Sequence, residues 1–456
     1  MKSGPTRWAG AAAALLAVAA GLYGLEHRRA ASAAAWVVPV STPPGITLKA
    51  RPNARRSRVA AEDELVLADA SGKSLYAHAG AATPGAAYCS GACLARWPPA
   101  LAPPAATPDG DWSLIDLADG TRQWAYRGAP LHRLAADEAT GDNNGEDADG
   151  SGWQVATYRP EAGMLRPDGV GVREIADAGG VALVDTSGLT LYVFNGSTSV
   201  PGPACGTAGD CAQRWQPLEA PAIATGSGDF AAVARSDGVT QWSYRGRALY
   251  RFDGDRRSGD VRGVGVDARV QVALIARHYL PPEAMIHRNA ALGYVLATTG
   301  GATLYQRDRA TLGEGHNFRT DHGPPALGRQ LGTASCDEAC TRDWPPFTAP
   351  ADALPRGFWD VARRPNGVRQ WIYKGFALYT YAADRSGEIN GNLIYNLARI
   401  EEFRTIEASS TSASAQARAT AVRGAAAGEN PSLPADPDAT AYGVGVGALF
   451  WHAVVP

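Results

Sequence analysis

The chain has 456 residues, with 43 basic and 45 acidic side chains and 45% hydrophobic content. That length allows two to four domains with a real core, and the balanced charge removes any electrostatic case for nucleic acid. Its 52 glycines, 31 prolines and 12 tryptophans point to many turns and large buried anchors, as in all-β proteins.

The chain opens with Lys2 and Arg7, then an uncharged alanine-rich run over residues 8–25, then the small residues Ala31, Ser32 and Ala33. This predicts an export signal over 1–35. An uncleaved anchor competes, because about 18 apolar residues nearly span a bilayer, and it is the only membrane contact expected. The first cysteine is Cys89, so no lipid-modified cysteine follows the run. Either reading puts the bulk of the chain outside the cytoplasm, periplasmic or extracellular, where disulfides persist.

Residues 36–61 read as a linker. From there one pattern runs three times, over 62–160, 172–280, and 290–405 completed by 441–456. Each copy begins with a strand-like run: SLYAH at 74–78, TLYVF at 190–194 and TLYQR at 303–307. A close cysteine pair follows: Cys89 and Cys93, Cys205 and Cys211, Cys336 and Cys340. The stretch 89–97 reads as a short helix ended by Pro98. Even numbers of cysteines in repeating places predict three disulfides within the copies. Loops that small remove little chain entropy, so each would staple a turn and not a domain. A thiol redox pair or a soft-metal site are the sharper alternatives. Against them, no C-x-x-C lies beside a βαβ unit, and copies one and two offer no extra His or Cys near the pair.

The second half of each copy reads RQWAYRGAPLHRLAAD at 122–137, TQWSYRGRALYRFDGD at 240–255 and RQWIYKGFALYTYAAD at 369–384. GDNNG, GDVRG and GEING follow. The two tryptophans of each copy, Trp97 and Trp124, Trp215 and Trp242, Trp344 and Trp371, are 27 residues apart every time. Such equal spacing predicts one rigid unit without insertions. Runs such as 241–245 and 248–252 around Gly246 predict hairpins. G-x-x-L-Y occurs in both halves of a copy, so the chain reads as six half-repeats.

Copy three carries two extra stretches. One lies between Tyr305 and Cys336 and contains GEGHNFRTDHGPP, where His316 and His322 beside Asp321 could hold a metal or merely belong to a solvated loop. The other, 406–440, is rich in Ala, Ser and Thr and reads as a disordered insertion. The final YGVGVGALFWHAVVP resembles the closing strand of the first two copies, so it is expected to return and complete copy three. The expected fold is all-β, three tandem sandwich- or barrel-like repeat domains. A closed six-unit propeller-like ring is the alternative.

These repeats resemble the secreted-repeat lipoprotein family of bacteria with its Yx(FWY)xxD motif. Tyr250, Phe252 and Asp255 match that motif, as do Tyr379, Tyr381 and Asp384. Copy one departs, with His132 and Leu134 at the aromatic positions and Asp137 kept. The C-x3-C-x3-W-P-P element also matches at Cys89 and Cys336. The resemblance implies export and tandem β-repeats, and it implies no reaction.

The acids Asp137, Asp255 and Asp384, each followed by Asp142, Asp260 or Glu388, resemble a loose calcium loop. The simpler expectation is that they accept backbone N–H bonds in the turn after a strand. The repeated tryptophans, with Tyr126, Tyr244 and Tyr373, are expected in the core. No nucleophile elbow, H-E-x-x-H or phosphate loop occurs. The chain is therefore expected to be a non-enzymatic envelope protein that binds or scaffolds, with an envelope protein or a small ligand as partner and no cofactor specified. A metal- or redox-linked periplasmic accessory protein is the alternative.

Overall fold

The computed structural model describes residues 38–50, 64–79, 89–138, 141–146, 152–195, 210–308, 336, 340–364, 366–397 and 448–456. The export segment, Cys205, the histidine-bearing insert of copy three and the 406–440 stretch lie outside the described residues. Among the described residues no helix is long and apolar enough to cross a membrane.

The first repeat holds β1 (Ile46–Ala50), β2 (Leu65–Asp69), β3 (Tyr76–His78), helix α1 (Cys93–Arg96), β4 (Trp112–Asp116), β5 (Arg122–Tyr126), β6 (Ala129–Pro130) and β7 (Trp153–Val155). The second holds β8 (Val170–Ile175), β9 (Gly180–Asp185), β10 (Tyr192–Phe194), α2 (Asp210–Arg214), β11 (Trp215–Pro217), β12 (Phe230–Ala234), β13 (Thr240–Tyr244), β14 (Arg247–Ala248), β15 (Tyr250–Phe252), β16 (Val270–Val272) and β17 (Leu274–Arg277). The third holds β18 (Ala284–Asn289), β19 (Gly293–Thr298), β20 (Tyr305–Asp308), α3 (Cys340–Asp343), β21 (Trp359–Arg363), β22 (Arg369–Tyr373), β23 (Phe376–Ala377), β24 (Tyr395–Leu397) and β25 (Ala448–Ala453).

The fold is mostly β, in many small antiparallel sheets with few short helices, and no closed barrel or propeller forms among the described residues. Repeat two shows the plan most fully. One sheet orders β17-β9-β8, a second β11-β15-β10-β16, and a third β12-β13-β14. The third sheet recurs as β4-β5-β6 and β21-β22-β23. Closing strands recur too: β7 pairs with β3, β16 with β10, and β25 with β20, where Tyr305 lies opposite Ala453. The C-terminal residues thus hold the same place in repeat three that β7 and β16 hold in the others.

The hairpin β5–β6 turns through Arg127 and Gly128, with φ of 52° and 81°. Arg245 and Gly246, and Lys374 and Gly375, repeat this. Two successive positive φ values match the right-handed twist of the flanking strands, which is why a glycine closes each turn. The basic residue ahead of it sits in a left-handed conformation that costs about 1 kcal/mol. Its N–H is held in return: Arg127 donates to Asp111 C=O at 2.7 Å, Arg245 to Asp229 C=O at 2.7 Å, and Lys374 to Phe358 C=O at 2.9 Å.

The repeated aromatics form the core. Trp97, Trp124, Trp215, Trp242, Trp344 and Trp371 are all buried. In repeat one Trp97 stacks on Trp153 at 4.2 Å, and in repeat three Trp344 stacks on Trp451 at 3.8 Å. Burying one such ring stabilises by about 2–3 kcal/mol.

The described residues cluster into two compact units, one formed by those at 38–39 and 161–277, the other by those within 40–160 and 278–456. Repeat two makes up the described repeat of the first; repeats one and three share the second. The 36–61 stretch, read as linker, is one physical reason. Its strand β1 pairs along β2, Ile46 opposite Asp69, and on its other side Thr47 bridges Gly357 of repeat three. Lys49 Nζ reaches Asp360 Oδ2 at 2.7 Å, with both side chains buried. Gly357 N–H also donates to Thr42 Oγ1 at 2.8 Å.

Candidate functional site

The family-motif aspartates are built into a repeated internal constellation. The first strand of the central sheet supplies a tyrosine: Tyr76 in β3, Tyr192 in β10, Tyr305 in β20. Tyr76 Oη donates to Asp137 Oδ2 at 2.6 Å and Tyr192 Oη to Asp255 Oδ2 at 2.6 Å, and Tyr305 Oη donates to Asp384 Oδ2. The second carboxylate oxygen accepts a backbone N–H: Asn144 at 3.3 Å, Arg262 at 2.9 Å and Asn390 at 3.0 Å. Each ring also meets the first tryptophan of its copy edge-on, with centroids 5.2, 5.2 and 5.5 Å apart.

The last glycine of GDNNG, GDVRG and GEING closes the arrangement. Gly145 N–H donates to Tyr76 Oη and Gly263 N–H to Tyr192 Oη, both at 3.3 Å. A Cβ on Gly145 would stand 2.6 Å from Trp97 Cη2, on Gly263 2.6 Å from Trp215 Cη2, and on Gly391 2.9 Å from Trp344 Cη2. Only a residue without Cβ lets the backbone approach the two rings this closely.

The second acid of each pair faces its own turn. Asp142 accepts from Glu138 N–H at 2.9 Å, Asp260 from Arg256 N–H at 2.9 Å and Arg257 N–H at 3.0 Å, and Glu388 from Arg385 N–H at 2.8 Å. The acids are therefore held by backbone donors, as turn carboxylates are. Among the described residues no group of three metal-ligating side chains comes together.

Burial governs the electrostatics. Asp137 and Asp255 are 2% and 5% exposed. Loss of solvent pushes the Asp255 carboxyl up to about 6, against the lowering effect of the Tyr192 hydroxyl and the Arg262 N–H. The same desolvation raises Asp137, and it pushes the phenols of Tyr76 and Tyr305 upward, reinforced by their aspartate partners.

The remaining motif residues pack. Tyr250 meets Phe194 edge-on at 5.1 Å, and Phe252 tilts on Trp215 at 4.7 Å. Tyr379 meets Trp451 at 5.1 Å, and Tyr381 stacks on Trp344 at 4.4 Å. In copy one His132 takes the Tyr250 position, edge-on to Trp153 at 5.0 Å, and Leu134 joins the same cluster.

One buried residue escaped the sequence reading. Gln123, Gln241 and Gln370 each donate Nε2 to a carbonyl eight residues on: Leu131 at 2.7 Å, Leu249 at 2.7 Å and Leu378 at 2.8 Å. This bond ties β5, β13 and β22 to the residue after the next short strand. Its only sequence signal is the recurring Gln-Trp pair.

The cysteines are bonded locally. Cys89 joins Cys93 with Cα atoms 5.5 Å apart, and Cys336 joins Cys340 at 5.1 Å. Cys211 is disulfide-bonded, and its expected partner Cys205 lies outside the described residues. No cysteine among the described residues is free. His278 meets the Phe358 ring edge-on at 4.8 Å.

A family model described as a secreted repeat of unknown function matches residues 113–157 and 231–271. No curated protein and no solved structure matches the chain. The two matched spans run from β4 past β7 and from β12 to β16. In the third repeat the equivalent strands, β21 to β24 and then β25, are parted in the chain by residues 398–447. The chain thus carries the secreted repeat of unknown function, in two matched copies.

Proposed function

We propose that this is an exported, non-enzymatic envelope protein that binds or scaffolds through its tandem β-repeats, with an envelope protein or a small ligand as its partner. One observation carries this reading. The polar groups that recur in every copy, the Tyr–Asp pairs and the buried glutamines, are turned inward and bonded to their own repeat. They serve packing, which leaves recognition to the loops that differ between copies. Disulfides within the copies fit an oxidising compartment, in line with a family described as secreted. Tandem modules offer multivalent surfaces.

The test is capture from envelope extract on the immobilised full chain, with elemental analysis and thiol titration of the native protein. The expected result is a saturably retained partner, metal well below one equivalent, and no titratable thiol. Stoichiometric copper or zinc, or reactive thiols, would replace this reading with the metal- or redox-linked accessory role. Glycan hydrolysis abolished by Asp255→Asn would make the protein an enzyme.

A further inference from the structure

Gly110, Gly228 and Gly357 hold one position in the three repeats, in the turn leading into β4, β12 and β21, with φ of 56°, 57° and 59°. In repeat three this turn is a docking edge. Gly357 N–H donates to Ile46 C=O at 3.0 Å, Leu48 N–H to Gly357 C=O at 2.7 Å, and Gly45 N–H to Pro355 C=O at 2.8 Å. Thr47 bridges Gly357 in parallel. Residues 45–48 therefore add to the turn as a short extended strand, with Ile46 and Leu48 buried.

Repeat two presents the same edge as Gly226, Ser227 and Gly228. Among the described residues no hydrogen bond reaches Gly226 C=O, Gly228 N–H or Gly228 C=O, and both glycines are exposed. The two most exposed large hydrophobic side chains of the described chain lie here. Ile223, 91% exposed, is on the same loop, and Leu165, 65% exposed, has its carbonyl 3.2 Å from where a Gly228 Cβ would stand. The corresponding turn of repeat one differs in having a neighbour from the N-terminal stretch beside it, where Trp112 Nε1 donates to Ser41 C=O at 3.3 Å.

Charge separates the two edges. In repeat three Arg356 Nε donates to Thr42 C=O at 2.6 Å, and Asp360 holds Lys49. Repeat two has Ser227 and Ala231 at those positions. Strand addition draws affinity from main-chain bonds and specificity from alternate side chains. We propose that residues 223–231 of repeat two form a docking site for an uncharged, extended segment of a partner protein. Its pattern is that of residues 45–48, a glycine followed by alternating aliphatic side chains. The chain's own 45–48 segment is buried against repeat three and does not serve. This proposal rests on the binding reading above and assigns it a place.

A labelled synthetic peptide with the sequence of residues 43–48, PPGITL, titrated into the full chain tests it. The expected result is saturable binding with slowed amide exchange over 223–231. Affinity should fall at least tenfold in Ile223→Asp, whose side chain is too exposed to affect folding. It should fall as much for a peptide N-methylated at its glycine and leucine. Absence of saturation, or slowed exchange confined to 355–360, overturns the proposal. So does binding unchanged by Ile223→Asp or by N-methylation. An envelope partner captured equally by the Ile223→Asp chain overturns this site while the binding reading stands.

Discussion

Repeats two and three place an arginine on the buried glutamine of the second hairpin and a tyrosine nine residues beyond that glutamine; repeat one has leucine and histidine at those positions. Arg235 Nη1 donates to Gln241 Oε1 at 3.0 Å, and Arg364 Nη1 to Gln370 Oε1 at 2.9 Å. Arg364 also donates to Tyr379 Oη at 3.3 Å and to Cys336 C=O at 2.5 Å. In repeat one Leu117 replaces the arginine, and His132 lies 3.0 Å from both Gln123 Nε2 and the Trp97 carbonyl. Burial holds His132 below the usual imidazole range, so it stays neutral. A neutral ring that donates Nδ1–H to Trp97 and accepts from Gln123 at Nε2 fits that site without a cation. A second pair changes together in the same way. Asp69 faces Arg133 at 3.8 Å and Asp185 faces Arg251 at 2.6 Å, whereas repeat three has Thr298 and Thr380. These polar residues in contact differ between repeats as pairs, since replacing one partner alone leaves the other donor or charge less well matched. The Tyr–Asp pair is the same in all three repeats.

The largest expected effect concerns the ion pair that repeat three has and repeat two lacks. Lys49→Met removes the lysine from buried Asp360, and should cost about 3–5 kcal/mol, read as a lowered urea midpoint. Adding Asp360→Leu should recover most of that loss. If the single variant unfolds like wild type, β1 does not hold repeat three.

Next comes pH. Asp255 titrates at about 6 in the folded chain and near 3.8 unfolded. A raised carboxylate favours the folded state when protonated. Its contribution is fully present below the unfolded value and is lost as pH rises through about 6. Relative to Asp255→Asn, wild type should lose on the order of 2–3 kcal/mol between pH 4 and pH 7. Parallel stability curves for the two proteins would show that Asp255 is not desolvated.

A smaller effect tests the paired differences directly. Arg364→Leu should cost about 1–3 kcal/mol, since Gln370, Tyr379 and the Cys336 carbonyl lose a donor. Tyr379→His added to it imports the repeat-one solution and should return about 1 kcal/mol as coupling in a double-mutant cycle. Strict additivity would mean the two positions are independent. The smallest effect lies at the hairpin tip, where all three repeats agree. Arg245→Asn should change stability by less than about 1 kcal/mol, because the relief of left-handed strain offsets the lost Asp229 contact. Urea unfolding resolves the sign.

Much of the plan is legible in the residues, because it rests on short-range signals. Alternating runs around Gly246 and Gly128 mark hairpins, Pro98 ends the helix that starts at Cys93, and cysteines four residues apart can only close a local loop. Recurrence does the rest, since a large ring such as Trp97 needs the same neighbours in every copy. The likeness of the C-terminal residues to the earlier closing strands likewise foreshadows the pairing of β25 with β20.

The triple repeat, its strands and turns, and which aromatics are core follow from local pattern and from repetition along the chain. Tertiary structure alone decided the partners of the polar residues. Asp137 meets a tyrosine 61 residues upstream, and Asp360 meets a lysine 311 residues away. A carboxylate in a turn reads alike whether it faces water, a metal or a buried phenol. Only the placement of distant segments chooses among them, through the desolvation that makes an unmatched buried group costly. The same holds for β1, whose pattern is short and whose two neighbours belong to repeats far apart in the chain.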